Sequence, residues 1–455
     1  MAVLPQVGEK LIRVLAFTLV LSSMSAMMFN IVLPKISVDF ALSYSQVSWV
    51  TSSYILVYAI GSVIYGKLAD SYKLKNLITF GLCLFMVGSL VGLSAQTFWM
   101  VLAGRSLQAA GASVIPATAM LIPVRYFPPE SRGRALGISA TGLAVGNALG
   151  PVVSALLVSL VDWRWLFCVP LLILFTLPLY RKYLGDERGE GRAIDWWGAF
   201  LLAGTVAFLM LSVTNGTWLL LVGGALCAGC FFLRIRTASE PFVSLQLFEN
   251  KRYTLGLSLS VLAVGIGYAL PFLTPLLLAD VNRLESGLIG FAMVPAAVVS
   301  AILGRRGGRL ADSKGNRFLF SVAVGLLVFC FALFSIYSGV SAGWIAVFLI
   351  FGTVGQMFMQ ISLNNAISRT LPKEQTGVGM GLLTMLTFLS GAVVTGIYSR
   401  VAEGDAATAW NPLHMYPEAS VYSNLYLVLA LLQIGLLLLY RLRFDRQAVP
   451  DKHTV

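Results

Sequence analysis

Long apolar runs alternate with short polar segments along the whole chain. A bilayer-crossing helix needs about 20 mostly apolar residues. Runs of this kind fall near residues 11–33, 45–65, 77–95, 99–121, 135–157, 163–180, 196–213, 218–235, 254–277, 287–304, 318–338, 342–364, 378–399 and 422–441. The pattern predicts an all-α membrane protein with fourteen transmembrane helices. The least separated pair, 196–213 and 218–235, is divided only by Thr214-Asn215-Gly216-Thr217. The first run is too long for the apolar region of a signal peptide and reads as a retained span.

Composition removes the alternatives. Of 455 residues, 58% are hydrophobic and only 11% charged, too few to cover a water-facing surface. A soluble enzyme and a disordered chain are both excluded. The net charge of +12 would suggest nucleic acid in a soluble protein, but here the basic residues are spread along the loops. With the N-terminus inside, 27 of the 32 Lys and Arg fall on inner segments. Four (Lys35, Arg164, Arg283, Arg400) fall outside, and Arg105 lies within a span. Cytoplasmic loops collect Lys and Arg, so this bias predicts cytoplasmic termini, an even number of spans and a lipid bilayer rather than nucleic acid as the surroundings. All five cysteines lie in apolar runs. Cys227-Ala228-Gly229-Cys230 has a redox or zinc spacing, but it lies mid-span with no His nearby and reads as packing. No metal site or cofactor is expected.

The chain repeats itself. Gly66-Lys67-Leu68-Ala69-Asp70-Ser71 recurs as Gly308-Arg309-Leu310-Ala311-Asp312-Ser313, 242 residues later. Arg125-Tyr126-Phe127-Pro128-Pro129-Glu130 is echoed by Arg369-Thr370-Leu371-Pro372-Lys373-Glu374, 244 residues later. Gly133, Gly137 and Gly142 follow the first copy; Gly377, Gly379 and Gly381 follow the second. The repeat predicts an N-terminal six-helix bundle over 1–183, two inserted helices and a linker over 184–240, and a C-terminal six-helix bundle over 241–455.

At these residues the chain resembles the major facilitator superfamily. Gly66, Leu68, Asp70 and Lys75 match its cytoplasmic signature, which departs at Lys73, where the family has Gly, and at Leu74. The second copy keeps Gly308, Asp312, Gly315 and Arg317. A carboxylate at a helix end can meet a helix N-terminus and nearby arginines. Gly66, Asp70, Lys75, Arg132, Arg134, Gly308, Asp312 and Arg317 are therefore the candidate conformational gate. Arg105 and Gln108 share a face of span four and match another motif of the family. Gly146, Gly150 and Pro151 of span five resemble its exporter motif, with Ser154 and Ala155 in place of the final glycines. The span count and these motifs look most like the fourteen-helix drug exporters, the tetracycline-efflux proteins of Gram-positive bacteria among them. The resemblance implies a monomer in a bacterial cytoplasmic membrane.

The resemblance also implies a central cavity lined by spans one, four, nine and twelve. Candidate substrate contacts are Asn30, Arg105, Gln108, Asn147, Tyr268, Gln356, Gln360 and Asn364. Gln356, Gln360 and Asn364 form a polar stripe on one helix face, which in lipid must meet protein or water. Proton-coupled relatives carry acids in spans one, five or thirteen. Here Ser25, Asn147 and Gly391 stand there, and all twenty acids lie in loops or at span ends. Two functions follow as expectations. One is a secondary active transporter that exports small amphipathic compounds, antibiotics and tetracycline-like molecules among them, by alternating access, with a coupling proton as candidate partner. The other is a facilitator or exporter of an endogenous anionic or zwitterionic metabolite without proton antiport. An enzyme is not expected: no Ser-His-Asp set, metal cluster or nucleotide loop is present, and His414 and His453 lie in a loop and the tail.

Overall fold

The computed structural model describes residues 3–445 except 43, 48, 186–193, 216, 240, 285, 373–374, 403–410 and 414. His414, His453, Glu374 and the inner basic residues Arg188, Arg192, Lys373, Arg446 and Lys452 lie outside the described residues.

The described chain is helical throughout. Its main helices are α1 (Val3–Asp39), α2 (Trp49–Ser71), α3 (Leu74–Leu93), α4 (Phe98–Ala112), α5 (Val114–Tyr126), α6 (Arg132–Leu160), α7 (Leu177–Tyr183), α8 (Trp196–Asn215) and α9 (Trp218–Thr237). They continue with α10 (Lys251–Gly267), α11 (Ala269–Asp280), α12 (Ser286–Lys314), α13 (Asn316–Ile336), α14 (Ala342–Ser368), α15 (Thr376–Ala402) and α16 (Ser420–Leu439). Among the described residues, thirteen segments are long and apolar enough to cross a bilayer, and Trp196–Ser212 is a shorter apolar helix in the position of the seventh span. The fourteen runs of the sequence thus become thirteen full-length spans and one short helix.

Two spans contain breaks that hydropathy did not reveal. Proline at position i has no N–H for the carbonyl of residue i−4 and crowds it. Pro116 accounts for the end of α4 at Ala112, and Pro271 for the end of α10 at Gly267. Ser113 and Tyr268 sit at the two junctions. The sixth run differs more. Residues Trp163–Phe167 and Val169–Thr176 are 3-10 helix, and only Leu177–Tyr183 is α-helix. Pro170 and Pro178 interrupt the regular α pattern there.

The chain divides into two compact units. One holds Met1–Pro129, Gly142–Leu247 and Leu371–Leu389; the other holds Glu130–Thr141, Phe248–Thr370 and Ser390–Val455. Helices α6 and α15 are therefore each shared, with the first turns assigned to one unit and the remainder to the other. In the first unit, α3 and α4 pack with their backbones close. A Cβ on Gly104 would lie 2.8 Å from the Gly92 Cα, and one on Gly88 would meet the Gly104 carbonyl. In the second unit, aromatic rings pack α13 against α16 and the turn that follows it: Phe334 stacks on Tyr426 at 4.7 Å and Phe320 on Tyr440, just past α16, at 4.0 Å.

The inserted pair α8–α9 is held at one end by Asp195. Its carboxylate accepts the Gly198 N–H at 3.1 Å, capping α8, and pairs with Arg234 of α9 at 3.0 Å. Burial alone would raise this carboxyl. The Arg234 hydrogen bond and charge, together with the Gly198 and Phe242 amides, hold it below the usual carboxylate value instead.

Candidate functional site

The paired sequence motif builds two matching clasps. In the first unit, Asp70 at the end of α2 accepts the Gly377 N–H at 2.9 Å and the Val378 N–H at 2.8 Å. In the second unit, Asp312 at the end of α12 accepts the Gly133 N–H at 2.8 Å and the Arg134 N–H at 2.7 Å. The donors are the second and third residues of α15 and α6, whose N–H groups have no partner inside their own helix. A carboxylate there also meets the positive end of the helix dipole.

The glycines make this approach possible. A Cβ on Gly66 would strike the Gly377 carbonyl, and one on Gly308 would strike the Gly133 carbonyl. Gly137 meets Gly304 and Gly308 in the same way, and Gly381 meets Ser62 and Val63. A Cβ on Gly379 would instead meet the Leu371 side chain. Each carboxylate thus comes from one copy of the repeat and each pair of amides from the other. Around Asp70, Arg125 donates to the Ala69 carbonyl at 2.7 Å. Around Asp312, Arg134 and Arg369 supply positive charge. Arg132 neighbours Arg369 and Glu130, Lys75 is half-buried and Arg317 is exposed.

The loop that follows each carboxylate explains the departure at Lys73. Gly315 has φ +84°, a conformation that favours glycine, whereas its counterpart Lys73 has φ −62° and ψ 121°, open to any residue. Asn316 beside Gly315 is held from α14. Asn365 donates to its side-chain oxygen at 2.9 Å, and Ser362 to its carbonyl at 2.9 Å. Asn365 is wholly buried; it lies one position from the stripe that the periodicity singled out.

Arg105 is fully buried in the first unit and reaches no surface. Its guanidinium lies 4.0 Å from the Tyr54 ring centre and 4.2 Å from that of Phe29. It donates to Gln108 at 3.0 Å and, at 3.5 Å, to the carbonyls of Ser25 and Val50. Gln108 in turn donates to Ser89 at 2.8 Å. The Arg105 Nη2 has no hydrogen-bond partner among the described residues. Two aromatic faces can stabilise a desolvated cation by about 2 kcal/mol or more. Phe29 and Tyr54 were invisible to motif reading, because aromatic residues are common in every span.

Asn30 is exposed and accepts from Thr51 at 3.0 Å. Asn147 is exposed on α6. In the second unit Gln356, Gln360, Asn364 and Tyr268 are half-buried. Gln356 packs its amide on Gly267, next to Tyr268, and its Oε1 has no hydrogen-bond partner among the described residues. A Cβ on Gly391 would lie 2.5 Å from the Tyr268 ring, so this aromatic side chain fills the space an acid at 391 would need.

The exporter-like segment forms a smooth seam on α1. A Cβ on Gly142 would meet the backbone of Ala16, and one on Gly146 the Val20 carbonyl. At Gly150 it would lie 2.8 Å from the Met27 Cβ, and one turn on Ser154 donates to the Met28 carbonyl at 2.8 Å. Pro151 is helical; its side chain lies outside the described residues.

The chain is 25% identical to the riboflavin transporter RibZ of Clostridioides difficile, over 83% of this chain and 85% of that protein. It is 27% identical to multidrug resistance protein 3 of Bacillus subtilis, over 70% of this chain and 64% of that protein. In fold it matches the crystal structure of the human organic anion transporter MFSD10, with a TM-score of 0.69 and 15% identity, covering 94% of this chain and 99% of the other. The sequence profile of the Major Facilitator Superfamily matches residues 15–395. With that match spanning most of the chain and both copies of the clasp, the protein belongs to the Major Facilitator Superfamily.

Proposed function

We propose that this transporter is a secondary active exporter of small amphipathic compounds, antibiotics among them, acting by alternating access in a bacterial cytoplasmic membrane with both termini inside. The observation that carries the reading is the duplicated clasp: Asp70 on the α15 amides and Asp312 on the α6 amides. Two equivalent hydrogen-bonded contacts, made and broken as units, suit a carrier that switches between two states. The Gly142–Gly146–Gly150 seam supports export through its likeness to the exporter motif. The multidrug relative supports a broad drug range, and the overall resemblance supports tetracycline-like molecules within it.

A second reading has its own observation. Tyr268 occupies the space beside Gly391, and no acid stands at the positions that serve proton coupling in drug antiporters. A carrier for an endogenous anionic or zwitterionic metabolite without proton antiport fits that arrangement, and a riboflavin transporter is among the relatives.

Everted vesicles energised to a pH gradient distinguish the two. Under the first reading, adding tetracycline with divalent metal, or a drug from a cationic panel, dissipates the gradient. A silent drug panel, with substrate-dependent uptake of an anionic compound that ignores the gradient, would favour the second.

A further inference from the structure

The internal repeat places α2 and α12 in equivalent positions, yet their outer faces differ. At the offset of 242 residues, Ile60, Val63 and Ile64 of α2 correspond to Ile302, Arg305 and Arg306 of α12, and Lys67 to Arg309. In the first unit this face is covered. Ile60, Val63 and Ile64 line an apolar crevice closed by Ala199 and Leu202 of α8 and by Phe242. In the second unit the equivalent face is open: Ile302 is 63% exposed and Arg305, Arg306 and Arg309 are all exposed. Among the described residues none of these three arginines has a hydrogen bond or an ion pair.

The open face is ordered along the helix. Phe291, Val298 and Ile302 are exposed in turn, which at 1.5 Å per residue makes an apolar strip of about 16 Å. The three arginines follow within the next two turns. The other faces of α12 are occupied: Gly304 and Gly308 lie against α6, Gly307 against Phe358, and Ser300 donates to Thr353. Asp312, the acid nearest in sequence, is turned to the α6 amides and does not neutralise the arginines.

We infer that this face of α12 is a binding site for an anionic phospholipid, taking the place that α8 fills in the first unit. The acyl chains run along Phe291, Val298 and Ile302, and the headgroup phosphate sits among Arg305, Arg306 and Arg309. Guanidinium groups grip phosphate oxygens in a fork, which an ammonium cannot do. An apolar helix such as α8 could not cover this face, because it would bury three unpaired charges. The site depends on the chain being in a bilayer and not on which compound it exports.

The test uses the purified protein in nanodiscs of phosphatidylcholine mixed with phosphatidylglycerol, with bound lipid counted by native mass spectrometry. The wild type retains phosphatidylglycerol in preference to phosphatidylcholine. The R305Q/R306Q variant loses about 25-fold in phosphatidylglycerol affinity, at about fivefold per arginine. R305K/R306K recovers only part of it. R181Q/K182Q, which removes the same charge from the end of α7, changes affinity by less than about twofold. Equal losses in the two glutamine variants, or no preference in the wild type, would overturn the proposal. So would full recovery with lysine, which would reduce the site to a point charge. A wild-type dimer abolished by R305Q/R306Q would overturn it in favour of a protein partner. The wild-type preference can be read even if a variant fails to fold.

Discussion

At the scale of single residues, charge decides the outcome. Arg105 is enclosed by Phe29, Tyr54 and Gln108 rather than by an acid, so its cost in the membrane is met by rings and carbonyl oxygens. Arg105→Ala removes the cation and leaves Gln108 Oε1 without its donor. We expect transport to fall about 30-fold, from loss of about 2 kcal/mol of cation–π stabilisation. Vesicle uptake normalised to membrane-inserted protein checks this, and unchanged uptake would remove Arg105 from any role in transport. Asp70→Asn and Asp312→Asn each replace a two-oxygen acceptor by a group with one acceptor and two donors. A charged hydrogen bond is worth about 1.5–3 kcal/mol, so each should slow transport by about tenfold or more while leaving insertion intact. If one variant is silent and the other is not, the two clasps are unequal in function despite equal geometry.

At the scale of the helix, glycine and proline shape what hydropathy cannot. The α6–α1 seam needs a bare backbone at Gly146, where any side chain meets the Val20 carbonyl. Gly146→Leu should destabilise the protein by about 1–3 kcal/mol, seen as a lower melting temperature in detergent. At the repeat's loop, Gly315→Ala should cost about 1–2 kcal/mol because φ is +84°, whereas Lys73→Gly should have little effect. The α8–α9 pair carries a pH signature. The Asp195 carboxyl is held low in the folded state, so its contribution is present above the ordinary carboxylate value. It is lost as pH falls through the lower folded value. Melting temperature measured across the acid range should therefore fall more steeply in the wild type than in Asp195→Asn, which has no carboxylate to protonate.

At the scale of the molecule, the repeat organises the chain, and the exceptions to it locate special features. The clasps obey the repeat and join one copy's carboxylate to the other copy's helix end. The inserted pair breaks it, covering α2 while leaving the equivalent face of α12 open. The 27-to-4 distribution of basic residues predicts that reporters fused at either terminus report a cytoplasmic position. Outside signals from both ends would reverse the topology and with it the proposed direction of transport, and a signal from one end alone would make the number of spans odd.

The apolar helices, the repeat and the clasp carboxylates were legible in the sequence because each rests on a local rule. Hydropathy marks a helix that must satisfy its own backbone in lipid, and a duplicated motif survives as a readable offset. The partners of those residues were not legible. Asp70 announced itself, but its contact with Gly377 and Val378 joins residues more than 300 positions apart. Arg105 stood out as a charge in a span, but nothing in the pattern distinguished Phe29 and Tyr54 from other aromatics. The breaks at Ser113 and Tyr268 follow from Pro116 and Pro271, yet hydropathy passes over both. The sequence by itself determined which segments lie in the membrane, because that depends on composition summed over each helix. Only the tertiary structure decided which residues enclose Arg105, which helix ends receive the carboxylates and which face of α12 is left open. Those outcomes depend on close approach between distant segments, and a single helix carries no record of its neighbour.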